Sequence, residues 1–136
     1  MKDLLYRNSG LLGVSGLSAD MRKLRASDTP RARLAIQMFT YRVIREAGAM
    51  AACLGGLDAL VFTGGIGEHD AVLRAEVCQQ LAFLGIQLDP ERNAKAPADA
   101  ATSLHAEGSP VEVWMVPTDE GRVAAQAAVA VLAMGG

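Results

Sequence analysis

The chain has 136 residues, 51% of them hydrophobic and 21% charged, with a formal net charge of -2. This describes one globular domain, excludes a disordered chain, and leaves room for one core rather than two. Thirteen basic residues against fifteen acidic ones leave no basic excess for a nucleic-acid surface, and no apolar run reaches the ~18 residues of a membrane span.

Residues 1–7 are charged and lack the basic-then-apolar layout of a signal peptide, so a cytoplasmic chain is expected. Cys53 and Cys78 sit in helix-like apolar stretches and read as two buried free thiols of a reducing compartment. CxxC and HExxH motifs are absent, so no tightly held zinc is expected. Alanine supplies 24 of the apolar residues, so the core must rely on close helix packing.

In chain order, residues 11–16 are punctuated by glycine and read as a turn leading into a segment over 17–25. Ser27-Asp28-Thr29-Pro30 is a helix start, with an oxygen-bearing cap before a proline that fits the first helical position. The helix runs to about Leu54 on the stripe Ile36, Phe39, Val43, Ala47, Met50 and Leu54, and Gly55-Gly56 ends it. Residues 57–63 form a nearly continuous apolar run, as in a parallel strand buried on both faces. Gly64-Gly65-Ile66-Gly67-Glu68 follows at once, then a helix over 71–83. Residues 85–88 predict a short strand, 91–101 a helix broken at Pro97, 103–105 an edge strand and 111–116 a strand closed by Pro117. Trp114 in that strand reads as core. The last helix, 121–134, is apolar nearly all round. Alternating helices and short apolar strands give an α/β fold.

Three segments carry candidate chemistry. The Thr63–Glu68 loop brings bare backbone N–H groups to a helix start, a place for a phosphate or a ribose edge. It lacks the Lys-Ser/Thr of a Walker A and the GxGxxG spacing, and the plainer alternative is a tight strand-to-helix turn. Pro117-Thr118-Asp119-Glu120 puts adjacent carboxylates at another strand end, suited to Mg²⁺ or to a helix cap. Asp20-Met21-Arg22 pairs a carboxylate with a guanidinium, for a nucleotide or as a surface ion pair. The tract Arg22, Lys23, Arg25, Arg31 and Arg33 reads as a solvated face, His69 as a residue that could touch a ligand, and His105 as structural or exposed. Open α/β sheets bind ligands at the C-terminal ends of their strands, where both loops lie.

Together the blocks resemble the C-terminal portion of the acetokinase family of acetate, propionate and butyrate kinases. The blocks are residues 9–16 with Asp20-Met21-Arg22, Tyr41-Arg42, residues 57–68, Phe83-Leu84-Gly85-Ile86 and Pro117-Thr118-Asp119-Glu120. The resemblance implies an incomplete nucleotide-binding domain of the actin-like, ribonuclease H-like ASKHA class over residues 1–136. Its short, mostly parallel sheet would be flanked by helices, and the N-terminal domain would be absent. The family transfers the ATP γ-phosphoryl to a short-chain carboxylate, giving an acyl phosphate and ADP. By resemblance, Asp20, Met21, Arg22, Gly65, Ile66, Gly67, Glu68 and His69 hold ATP or ADP, and Glu120 is associated with Mg²⁺. The family usually carries asparagine where His69 stands and a second glutamate where Gly121 stands. The acyl pocket and the catalytic cations belong to segments this sequence lacks, so no catalytic residue is assigned. The expectation is a chain that binds nucleotide, is inactive alone, and pairs as a homodimer or complements a missing N-terminal half. The alternative is a nucleotide-binding or assembly module without catalysis, or part of a propionate or butyrate kinase.

Overall fold

A computed structural model describes residues 9–118. The expected last helix and Asp119, Glu120 and Gly121 lie outside the described residues. Helix α1 spans Gly10–Ser15 and α2 spans Met21–Arg25, so the first segment is a helix rather than the expected turn. Gly16 ends α1 in the left-handed conformation at φ 63°. Asp20 opens α2 by accepting the Arg22 N–H at 2.9 Å.

Helix α3, Pro30–Leu54, has the predicted bounds for the predicted reasons. Thr29 Oγ1 accepts the Ala32 N–H at 3.3 Å, proline occupies the first turn, and Gly55 closes the helix at φ 74°. The stripe holds through Ile36, Phe39, Val43 and Ala47, but Met50 and Leu54 are exposed. The buried hydrophobics of the helix are small: Ala32, Ala35 and Ala51. Ala32, Ala35 and Leu24 form a second cluster that seats α1 and α2 on α3.

Strand β1, Ala59–Phe62, leads into α4, Gly64–His69, then α5, Ala71–Gln80, and a 3₁₀ turn at Ala82–Leu84. Helix α6 is Pro90–Lys95, capped by Asp89, and strands β2, Thr102–Ser103, and β3, Glu112–Met115, follow. The sheet order is β1-β3-β2. β1 runs parallel to β3 with Leu60 opposite Val113 and Phe62 opposite Met115, whereas β2 pairs antiparallel to β3. The sheet is therefore mixed, with four parallel pairs between β1 and β3 against two antiparallel pairs between β2 and β3. The expected strand at 85–88 is reduced to bridges from Ile86 to Val111 and from Leu88 to His105.

The expectation that β1 is buried on both faces is corrected. Leu60, Phe62, Val113 and Met115 face the main core, while Val61 is 52% exposed. Period-two alternation places one strand face on Val77, Leu81 and the α3 stripe. Trp114 lies on the other face, only half-buried, with its Nε1 donating to Glu112 Oε2 at 2.8 Å, so it is not core. His105 is structural: its Nδ1 accepts the Val113 N–H at 3.1 Å. No helix among the described residues is long and apolar enough to cross a membrane.

The two thiols differ, against the expectation that both are buried. Cys78 is buried in the core, which pushes its thiol up to about 12, while Cys53 is exposed near the end of α3. Because the thiolate is the reactive form, a thiol reagent at mildly alkaline pH should modify Cys53 rapidly in the native chain. It should reach Cys78 only in denaturant, with two labels per chain then counted by mass spectrometry.

Candidate functional site

Parallel pairing puts the ends of β1 and β3 on one edge of the sheet, and the candidate residues gather there. Thr63 leads into Gly64, whose φ of 72° favours glycine, and the chain turns at once into α4. The expected glycine loop is thus itself a short helix. Gly67 is buried against β1, where an added Cβ would meet the Phe62 carbonyl carbon at 3.3 Å.

A cleft of about 660 Å³ opens beside this turn, within the size range of small-molecule sites. Asp20, Met21, Arg22 and Arg25 form one wall, and Gly65, Ile66, His69 and Asp70 form the other. Six of the eight residues that the resemblance marks for a nucleotide therefore line one cleft, although forty positions of sequence separate its walls at their nearest, Arg25 and Gly65. Gly67 and Glu68 do not line it.

The charges in the cleft are paired. Asp20 receives Arg22 Nε at 3.2 Å and Nη2 at 3.0 Å. That guanidinium holds the Asp20 carboxyl below its ordinary value, and the carboxylate raises Arg22 in turn. Arg22 remains exposed, so the pair is open to exchange with a ligand. His69 is also exposed, with Nδ1 3.0 Å from the Gly65 carbonyl oxygen.

Arg25 and Asp70 were not among the selected residues, and Arg25 is not part of a solvated face. Its Nε donates to Asp70 Oδ2 at 2.7 Å across the walls, with side-chain exposures of 25% and 10%. Asp70 Oδ1 meanwhile accepts the Leu73 N–H at 2.9 Å and caps α5. Arg25 Nη2 is buried without a hydrogen bond, 3.7 Å from Glu76 Oε2, which accepts the Thr40 hydroxyl. This network joins α2, α3 and α5. Sequence offered one usable signal, Asp70 three residues before Leu73 at a helix start.

Glu68 points toward the exit of β3. Its Oε1 accepts the Thr118 N–H at 2.8 Å and hydroxyl at 2.6 Å, which holds the carboxyl below its ordinary value. The two strand-end loops are therefore tied together directly before Asp119 and Glu120. No group of three or more metal-ligating side chains occurs among the described residues.

Residues 1–126 match the acetokinase family. The chain belongs to the acetokinase family. It is 58% identical over 120 residues to the acetate kinase of Rhodopseudomonas palustris strain TIE-1, covering 88% of this chain and 30% of that protein. The crystal structure of Porphyromonas gingivalis acetate kinase superimposes with a TM-score of 0.85 at 38% identity, covering 96% of this chain and 33% of that one. A propionate kinase from Francisella tularensis matches with a TM-score of 0.75 at 34% identity, covering 88% of this chain and 30% of that one. The chain thus spans about a third of the length of these acetokinase relatives.

Two outcomes follow from the site's electrostatics. Asp70→Asn keeps a capping side chain but removes the charge, and Arg25→Gln removes its partner. A double-mutant cycle by urea unfolding should give a coupling of about 1–2 kcal/mol, and near-zero coupling would show that the pair does not join the walls. Glu68, with its lowered folded-state pKa, contributes stability above its unfolded value and loses it as pH falls through the folded value. Carboxyl-carbon NMR should show Glu68 titrating below an ordinary glutamate, and Thr118→Val should move that midpoint upward.

Proposed function

We propose that this chain is the nucleotide-binding C-terminal portion of an acetokinase, an incomplete ASKHA-class domain that binds ATP or ADP with Mg²⁺. What supports this reading is one observation: Asp20, Met21 and Arg22 meet Gly65, Ile66 and His69 around a single cleft at the strand-end edge. Met21 and Ile66 offer apolar contact to a purine. Asp20 suits a ribose hydroxyl, and Arg22 suits a ring or phosphate once it leaves Asp20. Mg²⁺ needs few protein carboxylates when a nucleotide supplies phosphate oxygens. Glu120, beyond the described residues, is the proposed contribution. When bound, the metal would neutralise phosphate charge.

In the whole enzyme, the reaction is transfer of the ATP γ-phosphoryl to acetate, giving acetyl phosphate and ADP. The carboxylate pocket and catalytic cations are assigned to other segments, so the chain alone is proposed to bind without turnover. It is further proposed to act in the cytoplasm and to pair as a homodimer or with the rest of an acetokinase. The similarity to the Francisella propionate kinase favours, as a second reading, a portion of a kinase for a longer carboxylate.

Titration calorimetry of the 136-residue chain with Mg-ADP and Mg-ATP tests the assignment. Binding at millimolar or tighter affinity is expected, weakened by Asp20→Ala. No heat with either nucleotide at millimolar concentration would sink it, and robust turnover of ATP with acetate would overturn the proposed inactivity.

A further inference from the structure

Arg74 is only 2% exposed, yet it carries a charge into the interior of α5. Its Nε donates to Asn93 Oδ1 at 2.7 Å, and its Nη1 donates to the carbonyls of Gly67 and Glu68, each at 2.8 Å. Its Nη2 donates to the Asn93 carbonyl at 2.9 Å, and Asn93 Nδ2 donates in turn to the Ala71 carbonyl at 2.8 Å. None of these acceptors is a carboxylate. Gly67 and Glu68 belong to the last turn of α4, and Asn93 to the last turn of α6. The cation therefore sits where two helices end in outward-facing carbonyls, the negative end of the peptide dipoles.

Desolvation lowers the Arg74 pKa, so burial works against its charge. A buried guanidinium is tolerated when its donors are filled, and the planar fork fills them here in several directions at once. The segment it grips has little stability of its own. Six residues rich in glycine do not sustain a helix in water. Arg74 does not line the cleft, whereas Gly65, Ile66 and His69 of the gripped segment do.

We propose that Arg74 is a positioning residue for the cleft: it fixes the backbone of residues 64–69 through Gly67 and Glu68, and Asn93 holds its guanidinium in place. The functional part rests on the nucleotide reading. A lysine at this position would keep the charge and lose the fork.

The test compares the 136-residue chain with Arg74→Lys and with the milder Asn93→Ala, which decides the matter if the lysine variant does not fold. Amide hydrogen exchange is measured for residues 64–69, with the middle of α3 as internal reference, and Mg-ADP affinity is measured by calorimetry. Exchange in 64–69 is expected to quicken about tenfold while α3 is unchanged, with about tenfold weaker Mg-ADP binding. Uniform acceleration across α3 and the loop would mark a merely structural role and overturn the proposal. So would an unchanged loop, or a loosened loop with full affinity. If the parent chain binds no Mg-ADP, the nucleotide reading falls, and the exchange result alone decides whether Arg74 holds the loop.

Discussion

Parallel pairing of β1 with β3 is the constraint on which the cleft depends. Two strands that run the same way end on the same edge, so Phe62 and Met115 end the two strands side by side. The parallel arrangement needs a long crossover, and residues 63–111 supply it through α4, α5 and α6. The register is fixed by packing. Leu60 and Phe62 share the core face with Val113 and Met115, and a slip of one residue would turn both apolar pairs toward solvent. The link from Glu68 to Thr118 then forms because the two exits are already neighbours.

Charge is used differently around the cleft and beneath it. Arg22 and Arg25 each face a carboxylate in an open or half-buried setting, where the gain from an ion pair is modest and solvent can intervene. Arg74 is fully enclosed and relies on neutral acceptors, three of them backbone carbonyls. Removing a partner there leaves a buried charge exposed to no compensation. Burial of the charges therefore increases from the mouth of the cleft toward the base of α4, with the exposed Asp20–Arg22 pair outermost.

Local sequence signals were sufficient for α3, because Thr29-Pro30 and Gly55 encode its ends chemically. They were sufficient also for β3, whereas the grouping of Asp20, Met21 and Arg22 with the glycine turn came from the whole-block resemblance and not from any local signal. They were insufficient where tertiary contacts decide. Gly64–His69 reads as a loop from its glycines, yet it is helical with Arg74 at its C-terminal carbonyls. The apolar run over 57–63 suggests burial of β1 on both faces, but a run does not state which neighbours cover each face. Arg74 itself had a legible trace, since it falls in step with Val77 and Cys78 on the buried side of α5. An arginine on an apolar stripe marks a buried network, although spacing alone cannot name Asn93 as its partner. Arg25 looked like one cation in a basic tract, and only the fold brings Asp70 to it.

The pairing of charges also bears on what the cleft can do chemically. Phosphoryl transfer builds charge that must be met by cations free to move onto it. On the described walls, Arg22 is committed to Asp20 and Arg25 to Asp70. A ribose or phosphate can compete for the exposed Arg22 pair, because the outer ion pair costs little to open. Arg25 is different, since releasing it would strip an ion-pair partner from Asp70 at the start of α5 and separate the two walls. On the proposed nucleotide reading, the outer pair would supply recognition and the inner pair shape, and uncommitted positive charge for a transferred group would come from beyond these walls.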